Sequence, residues 1–194
     1  SMSFGVRPAS ASAWRQGSGV RSGSGRVSRS SSSRVRRRGE APAREGVIHI
    51  KPRRFLWHGR LYERLRLTNY SDFGIRLPLQ LLFDADFRDM FEVRGQTRSR
   101  RGNLETGRIG GRSVAIRYEG LDQVQREVVL SFSHDPRRLS ARLAEFEMLL
   151  DPREHSALYV EVGDVPSQPS RERWRAGAAR ARWALRGRRR GGAR

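Results

Sequence analysis

From Val47 onward apolar and polar residues alternate with a period of two, the pattern that sends successive side chains to opposite faces of an extended strand. Val47, His49 and Lys51 alternate with Ile48 and Ile50 in a short first strand. Leu61, Glu63, Leu65 and Leu67 share one face of the next, with Tyr62, Arg64, Arg66 and Thr68 on the other. Ile75, Leu77, Leu79, Leu81 and Phe83 give the cleanest alternation, and Pro78 inside it, which cannot donate a ladder hydrogen bond, predicts an edge or a bulge. Further strands are expected over 114–118, 124–132, 143–150 and 158–162. Between them stand turn formers: Asn69-Tyr-Ser-Asp72, Gly110-Gly111, Glu119-Gly-Leu-Asp122, His134-Asp-Pro136 and Leu150-Asp-Pro152. Closely spaced strands without long helices between them predict an all-β fold, an antiparallel β-sandwich of about eight strands over 47–162.

The two ends read differently. Residues 1–46 are rich in Ser, Gly and Arg, with too few large apolar side chains to offset the entropy of ordering a backbone, so they read as disordered. Their first 39 residues hold no acid, a composition shared with organelle transit peptides and with unconstrained extensions. Residues 163–194 read as an Arg-rich tail, disordered or a marginal helix; Trp174, Ala178, Ala181 and Leu185 fall near one helical face, a thin stripe that needs a partner to persist. The expected architecture is therefore a sandwich with disordered Arg-rich N- and C-terminal flanks.

Composition narrows the chemistry. The 194 residues hold 40 Lys+Arg against 20 Asp+Glu, for a net charge of +20, and no cysteine. The absence of cysteine removes disulfides, thiolate metal sites and a Cys nucleophile. The densest apolar run, from Leu77 to Phe83, falls far short of the roughly 20 residues a membrane helix needs, so no membrane partner is expected. A charge of +20 ordinarily favours nucleic acid, because clustered cations release phosphate counterions. Its distribution is uneven: +8 lies in residues 1–46, +4 in 47–162 and +8 in 163–194. Lys51 is the single lysine, an arginine bias that a GC-rich coding sequence also produces.

Candidate chemistry is sparse. His49, His58, His134 and His155 show no metal-ligand spacing, and Gly107-Arg-Ile-Gly-Gly111 lacks the Lys and Ser/Thr of a phosphate loop, so neither metal nor cofactor is expected. The segment Asp84-Ala-Asp86-Phe-Arg-Asp89-Met-Phe-Glu92-Val-Arg94-Gly95 stands apart. Its carboxylates admit two readings: a glycosidase acid pair, or a strand end whose acids pair with arginines such as Arg88 and Arg94.

The run Leu61-Tyr-Glu-Arg-Leu-Arg-Leu-Thr-Asn-Tyr70, followed by Leu77-Pro-Leu-Gln-Leu-Leu-Phe-Asp-Ala-Asp-Phe-Arg-Asp-Met-Phe-Glu-Val-Arg-Gly95, closely resembles the N-terminal domain of bacterial glycogen debranching enzymes of the amylo-alpha-1,6-glucosidase type. The similarity continues through Val114-Ala-Ile-Arg-Tyr-Glu-Gly-Leu-Asp122 and Leu130-Ser-Phe132, and covers roughly 47–162. The resemblance implies a β-sandwich that packs against an α/α-barrel glycosidase, and a cytoplasmic role in glycogen catabolism. The family's catalytic acids lie in the barrel, so none is carried over, and the chain reads as a truncated or split relative.

The expected role is non-catalytic, in alpha-glucan recognition or in packing against the barrel. Trp57, His58, Tyr62 and Tyr70 are candidates for a sugar platform, since an aromatic face covers the apolar face of a pyranose. Asp86, Asp89, Glu92 and Arg94 are candidates for contacts with the glycosidase domain or chain. The alternative is nonspecific nucleic-acid binding by the tails, with Arg36-Arg-Arg38 and Arg186-Gly-Arg-Arg-Arg190 tracking phosphates while Trp174 and Trp183 stack on bases.

Overall fold

The computed structural model describes residues 2–8, 46–85, 87, 94, 100 and 102–191. Among them the chain forms β1 (Met2–Pro8), β2 (Ile48–Trp57), β3 (Arg60–Asn69), β4 (Ile75–Ala85), β5 (Asn103–Ile109), β6 (Ser113–Glu119), β7 (Gln125–Phe132), β8 (Arg138–Leu139), β9 (Leu143–Leu150), β10 (His155–Gly163) and the helix α1 (Arg171–Gly191). The strands make two sheets, ordered β1-β4-β9-β8 and β2-β3-β10-β7-β6-β5. Every neighbouring pair is antiparallel. This is the antiparallel sandwich that the alternation predicts.

The core lies between the sheets. Leu65 and Leu67 of β3, Leu130 and Phe132 of β7, and Leu158, Val160 and Val162 of β10 meet Ile75, Leu77, Leu79, Leu81 and Phe83 of β4 and Phe146, Met148 and Leu150 of β9. Phe132 joins the layers, with its ring centroid 6.1 Å from Phe83 and 5.4 Å, edge-on, from Phe146. Each large apolar side chain so enclosed contributes about 1.5–3 kcal/mol.

Prolines sit where a strand can spare a donor. Pro78 pairs with Glu147 of β9, and among the described residues β1 ends opposite Leu79, so none of them pairs with Pro78 on its other side. Pro52 does not end β2, contrary to the short first strand expected, because β2 is the edge of its sheet and tolerates a missing donor. The strand continues to Trp57 and turns into β3 through His58 and Gly59, whose φ angles of 48° and 71° fit a two-residue type I′ hairpin.

Asn69 ties the end of β3 to the turn after β9. Its amide donates to the carbonyls of Phe73 (2.8 Å), Asp151 (3.0 Å) and Leu150 (3.4 Å), and its carbonyl accepts from the Ser71 amide and hydroxyl at 2.9 and 2.7 Å. Fully buried, it engages five backbone and side-chain groups around this turn.

In each flank the described residues include one element that the composition does not announce, while residues 9–45, with Arg36-Arg-Arg38, lie outside the described residues. Met2–Pro8 is not disordered: it forms β1, in register with residues 79–85 of β4. Met2, Phe4 and Val6 are its period-two signal, lost to view among the Ser, Gly and Arg that follow. In the other flank α1 runs for 21 residues and packs on the sandwich, so the described part of this tail is helical and not disordered. It finds on the six-stranded sheet the partner that its thin apolar stripe requires. No helix of the described residues is long and apolar enough to cross a membrane.

Candidate functional site

The face of the six-stranded sheet turned away from the core carries the residues that β2, β3 and β10 place opposite the core positions: Phe55, Tyr62, Arg64 and Glu161 among them. α1 lies on this face. Ser170 caps its start, the hydroxyl accepting from the Arg173 amide at 3.2 Å and the carbonyl from the Trp174 amide at 3.0 Å. The buried stripe Gly177, Ala178, Ala181 is small, so the helix axis comes close to the sheet. A β-carbon on Gly177 would stand 3.2 Å from the Phe55 ring and 3.5 Å from Tyr62. Phe55 stacks flat on Tyr62, centroids 4.8 Å apart, and meets Trp174 edge-on at 5.6 Å. The Arg64 guanidinium sits 4.3 Å over the Trp174 ring, a cation–π contact. Burial lowers the Arg64 pKa; nearby Tyr159 opposes this, while Arg53, Arg66 and Arg175 add to it.

Beside the aromatic group lies a buried carboxylate. Glu161 is 2% exposed, and Arg173 of α1 grips both its oxygens, at 2.9 and 2.8 Å. Arg60 approaches from the start of β3 at 3.8 Å, and reaches on to the Val165 carbonyl at 3.3 Å. The bond to Glu161 holds the Arg173 pKa above its usual value. Gly163 makes room for Arg60, since a β-carbon there would come within 2.6 Å of the guanidinium carbon. Two arginines far apart in sequence, Arg60 and Arg173, thus converge on one acid, and the bidentate grip of Arg173 is one that lysine would not reproduce. With both oxygens engaged by Arg173, Glu161 acts as a clasp between helix and sheet.

Among the described residues, the structure stacks two of the sequence-predicted site residues, Trp57 and His58, on each other, while Tyr62, Tyr70 and Arg94 sit elsewhere. Tyr62 lies under α1 with its ring face on Phe55. Trp57 sits at the β2–β3 hairpin, stacked on His58 at 4.3 Å, and is half-buried. Tyr70 is exposed at the far end of β3. Arg94 lies in a turn and is exposed, while Asp86, Asp89 and Glu92 lie outside the described residues. Of the acidic segment, Asp84 caps its own strand end, accepting from the Ala85 amide at 3.0 Å, with Arg142 at 3.7 Å. Phe87 stacks on Tyr118 at 5.3 Å. Trp174 is enclosed between helix and sheet and so is not placed to stack on a base; Trp183 is 80% exposed. Among the described residues no three His, Asp or Glu side chains group as metal ligands.

Glu161, Arg173, Arg60 and Gly177 escape a reading of sequence pattern. The acid alternates correctly in β10 and so reads as solvent-facing. Only the position of Arg173 one turn inside a capped helix hints at a partner.

No curated protein matches the chain. Among solved structures, a human-microbiome chain assigned as a kojibiose phosphorylase is similar, at 14% identity and a TM-score of 0.46, over 71% of this chain and 19% of its own. A polysaccharide lyase is similar at 19% identity and a TM-score of 0.37, over 62% of this chain and 20% of its own. The chain therefore spans about a fifth of the length of either. Residues 19–161 match the family described as the N-terminal domain of some glycogen debranching enzymes, from the first flank to Glu161 in the last strand. Spanning most of the chain, that match makes it a member of the family of N-terminal domains of glycogen debranching enzymes.

Proposed function

We propose that this chain is a non-catalytic β-sandwich of a glycogen-debranching system, whose task is to pack against a glycosidase barrel carried by another domain or chain. The observation that carries the reading is the family match over residues 19–161. The geometry is consistent with it. The buried carboxylates Glu161 and Glu63 are each tied to arginines, Glu63 to Arg54 at 3.0 Å, in cross-strand or helix–sheet clasps. Tyr62 is spent on packing against Phe55, which favours assembly over sugar stacking at that position.

A second reading, direct contact with alpha-glucan, draws on Trp57 alone, which stands with His58 at an exposed hairpin beside the exposed Leu56. One preparation separates the two. Incubated with a glycogen limit dextrin, the purified chain should release no glucose above background; release that Asp86→Asn abolishes would overturn the non-catalytic assignment. Titration with maltooligosaccharide, followed by tryptophan fluorescence, should give no saturable change. A saturable change lost in Trp57→Ala would move the role from packing to glucan recognition.

A further inference from the structure

The arginines of this chain follow two rules. Across the strands several face an acid: Arg54 faces Glu63, Arg76 pairs with Glu147, and Arg117 pairs with Glu127. At one end of the β2–β3–β10 face the rule reverses. Arg53 stands directly opposite Arg64, and Lys51 opposite Arg66, two like-charged cross-strand pairs side by side. The first turns of α1 add Arg171 and Arg175 four residues apart, a third like-charged pair. Such pairs destabilise a sheet or a helix when nothing neutralises them.

These groups line one cleft. Arg64, Arg66, Arg171 and Arg175, with His155 and Tyr159, enclose about 310 Å³ between the sheet and the start of α1. Among the described residues none of the four arginines has a carboxylate partner, while Arg60 and Arg173, on the same face, are committed to Glu161. The Arg64 Nε is buried and has no acceptor, an unsatisfied donor of the kind that folded proteins rarely retain without a purpose. Glu172, in the first helical turn, is exposed; its pKa is lowered first by its own backbone amide and by Ser170, and then by Arg171 and Arg175.

We infer that this cleft binds a small phosphoryl anion, inorganic phosphate or a phosphate monoester, with Arg66, Arg171 and Arg175 as its charged clamps and Arg64 as its floor. Guanidinium groups from two directions suit the several acceptor oxygens of a phosphate, and the anion relieves the three like-charged pairs at once. The role goes beyond packing against a glycosidase and does not depend on it. It also draws on part of the charge of the C-terminal flank, since Arg171 and Arg175 meet Arg64 and Arg66 of the sheet at this cleft.

The test is calorimetric titration of the full chain with inorganic phosphate, with glucose 6-phosphate, with glucose as the neutral control, and with a single-stranded oligonucleotide. Both phosphate and glucose 6-phosphate should bind saturably in the millimolar range or tighter, and glucose should not. The double variant Arg66→Gln/Arg175→Gln should weaken both at least about tenfold, since each charge-assisted bond lost is worth about that factor or more. Both positions are exposed, so the anion-free variant should melt no lower than the parent chain. The exposed Arg138→Gln, on the four-stranded sheet, should leave binding unchanged. Absence of saturable binding by either anion would overturn the inference, as would equal weakening by Arg138→Gln. Binding confined to the oligonucleotide would overturn it too, and would reassign the face to nucleic acid. Binding of glucose 6-phosphate alone, or of phosphate alone, would support the cleft and identify which source it takes.

Discussion

The six-stranded sheet has two faces, and they are closed by different means. Toward the four-stranded sheet it presents Leu65, Leu67, Leu130, Phe132, Leu158 and Val160, which are removed from water by similar residues of β4 and β9. Toward α1 it presents Phe55, Tyr62, Arg64 and Glu161, and is met by Trp174, small residues and Arg173. The first face is held by area, which is strong and indifferent to direction. The second is held by a few oriented contacts, which fix where the helix sits but remove less apolar surface. The helix should therefore be the less stable partner, able to leave while the sandwich stands.

Substitutions can break this contrast, beginning with the core. Phe132→Ala removes the ring that joins both sheets, and should cost about 3–5 kcal/mol, seen as a lower urea midpoint for the whole sandwich. Were the loss confined to one sheet, the two layers would not be a single cooperative unit. On the other face, Glu161→Gln leaves Arg173 without its acid and Arg60 with the exposed Asp164. Because Arg173 is half exposed and can turn to water, the expected cost is roughly 1–3 kcal/mol. It should show first as weakened protection of α1 amides, with sheet amides little changed.

Gly177→Leu sharpens the contrast further. In an isolated helix the change would be favourable by up to about 1 kcal/mol, since glycine is a poor helix former. Here the side chain would meet Phe55 at 3.2 Å or less, so α1 should lift, and Trp174 fluorescence should shift red as the ring enters water. The urea midpoint of the sandwich should hardly move. The smallest effect belongs to neither face. Asp122, in the β6–β7 turn, is held to a pKa of about 2, chiefly by the hydrogen bond from Arg126. Being depressed below its ordinary value, this carboxylate should stay charged as pH falls and protonate only near that point. Its NMR titration should move upward in Arg126→Gln.

The legibility of the sequence follows the same division. β4 and β9 could be read because every second residue is apolar, and one buried face leaves little choice of register. Pro78 was informative because a missing donor restricts where a strand can have neighbours. β1 escaped because three apolar residues in seven do not rise above a low-complexity flank, and β5 (Asn103–Ile109) because Leu104 and Ile109 do not alternate in phase. The outer face was least legible. Its helix carries mostly arginine, its stripe is glycine and alanine, and its anchoring pair joins β10 to α1 through charge. Charge has no period, so no window of sequence pairs Arg173 with Glu161, or sets Arg66 beside Arg175. The acidic segment, although it carried the family resemblance, supplied Asp84 as a strand cap, while Asp86, Asp89 and Glu92 lie outside the described residues.

The central claim is that α1 belongs to the fold, bound by the Glu161–Arg173 clasp and the Phe55–Tyr62–Trp174 group, yet more weakly than the sheets bind each other. Hydrogen exchange on the full chain, compared with Glu161→Gln, tests it most directly. Amides of the first turns of α1 should be protected in the parent chain, less than those of β3 and β10, and the substitution should strip them while sheet protection persists. Exchange of α1 at free-peptide rates in the parent chain would contradict it, as would protection unchanged by the loss of the Glu161 charge.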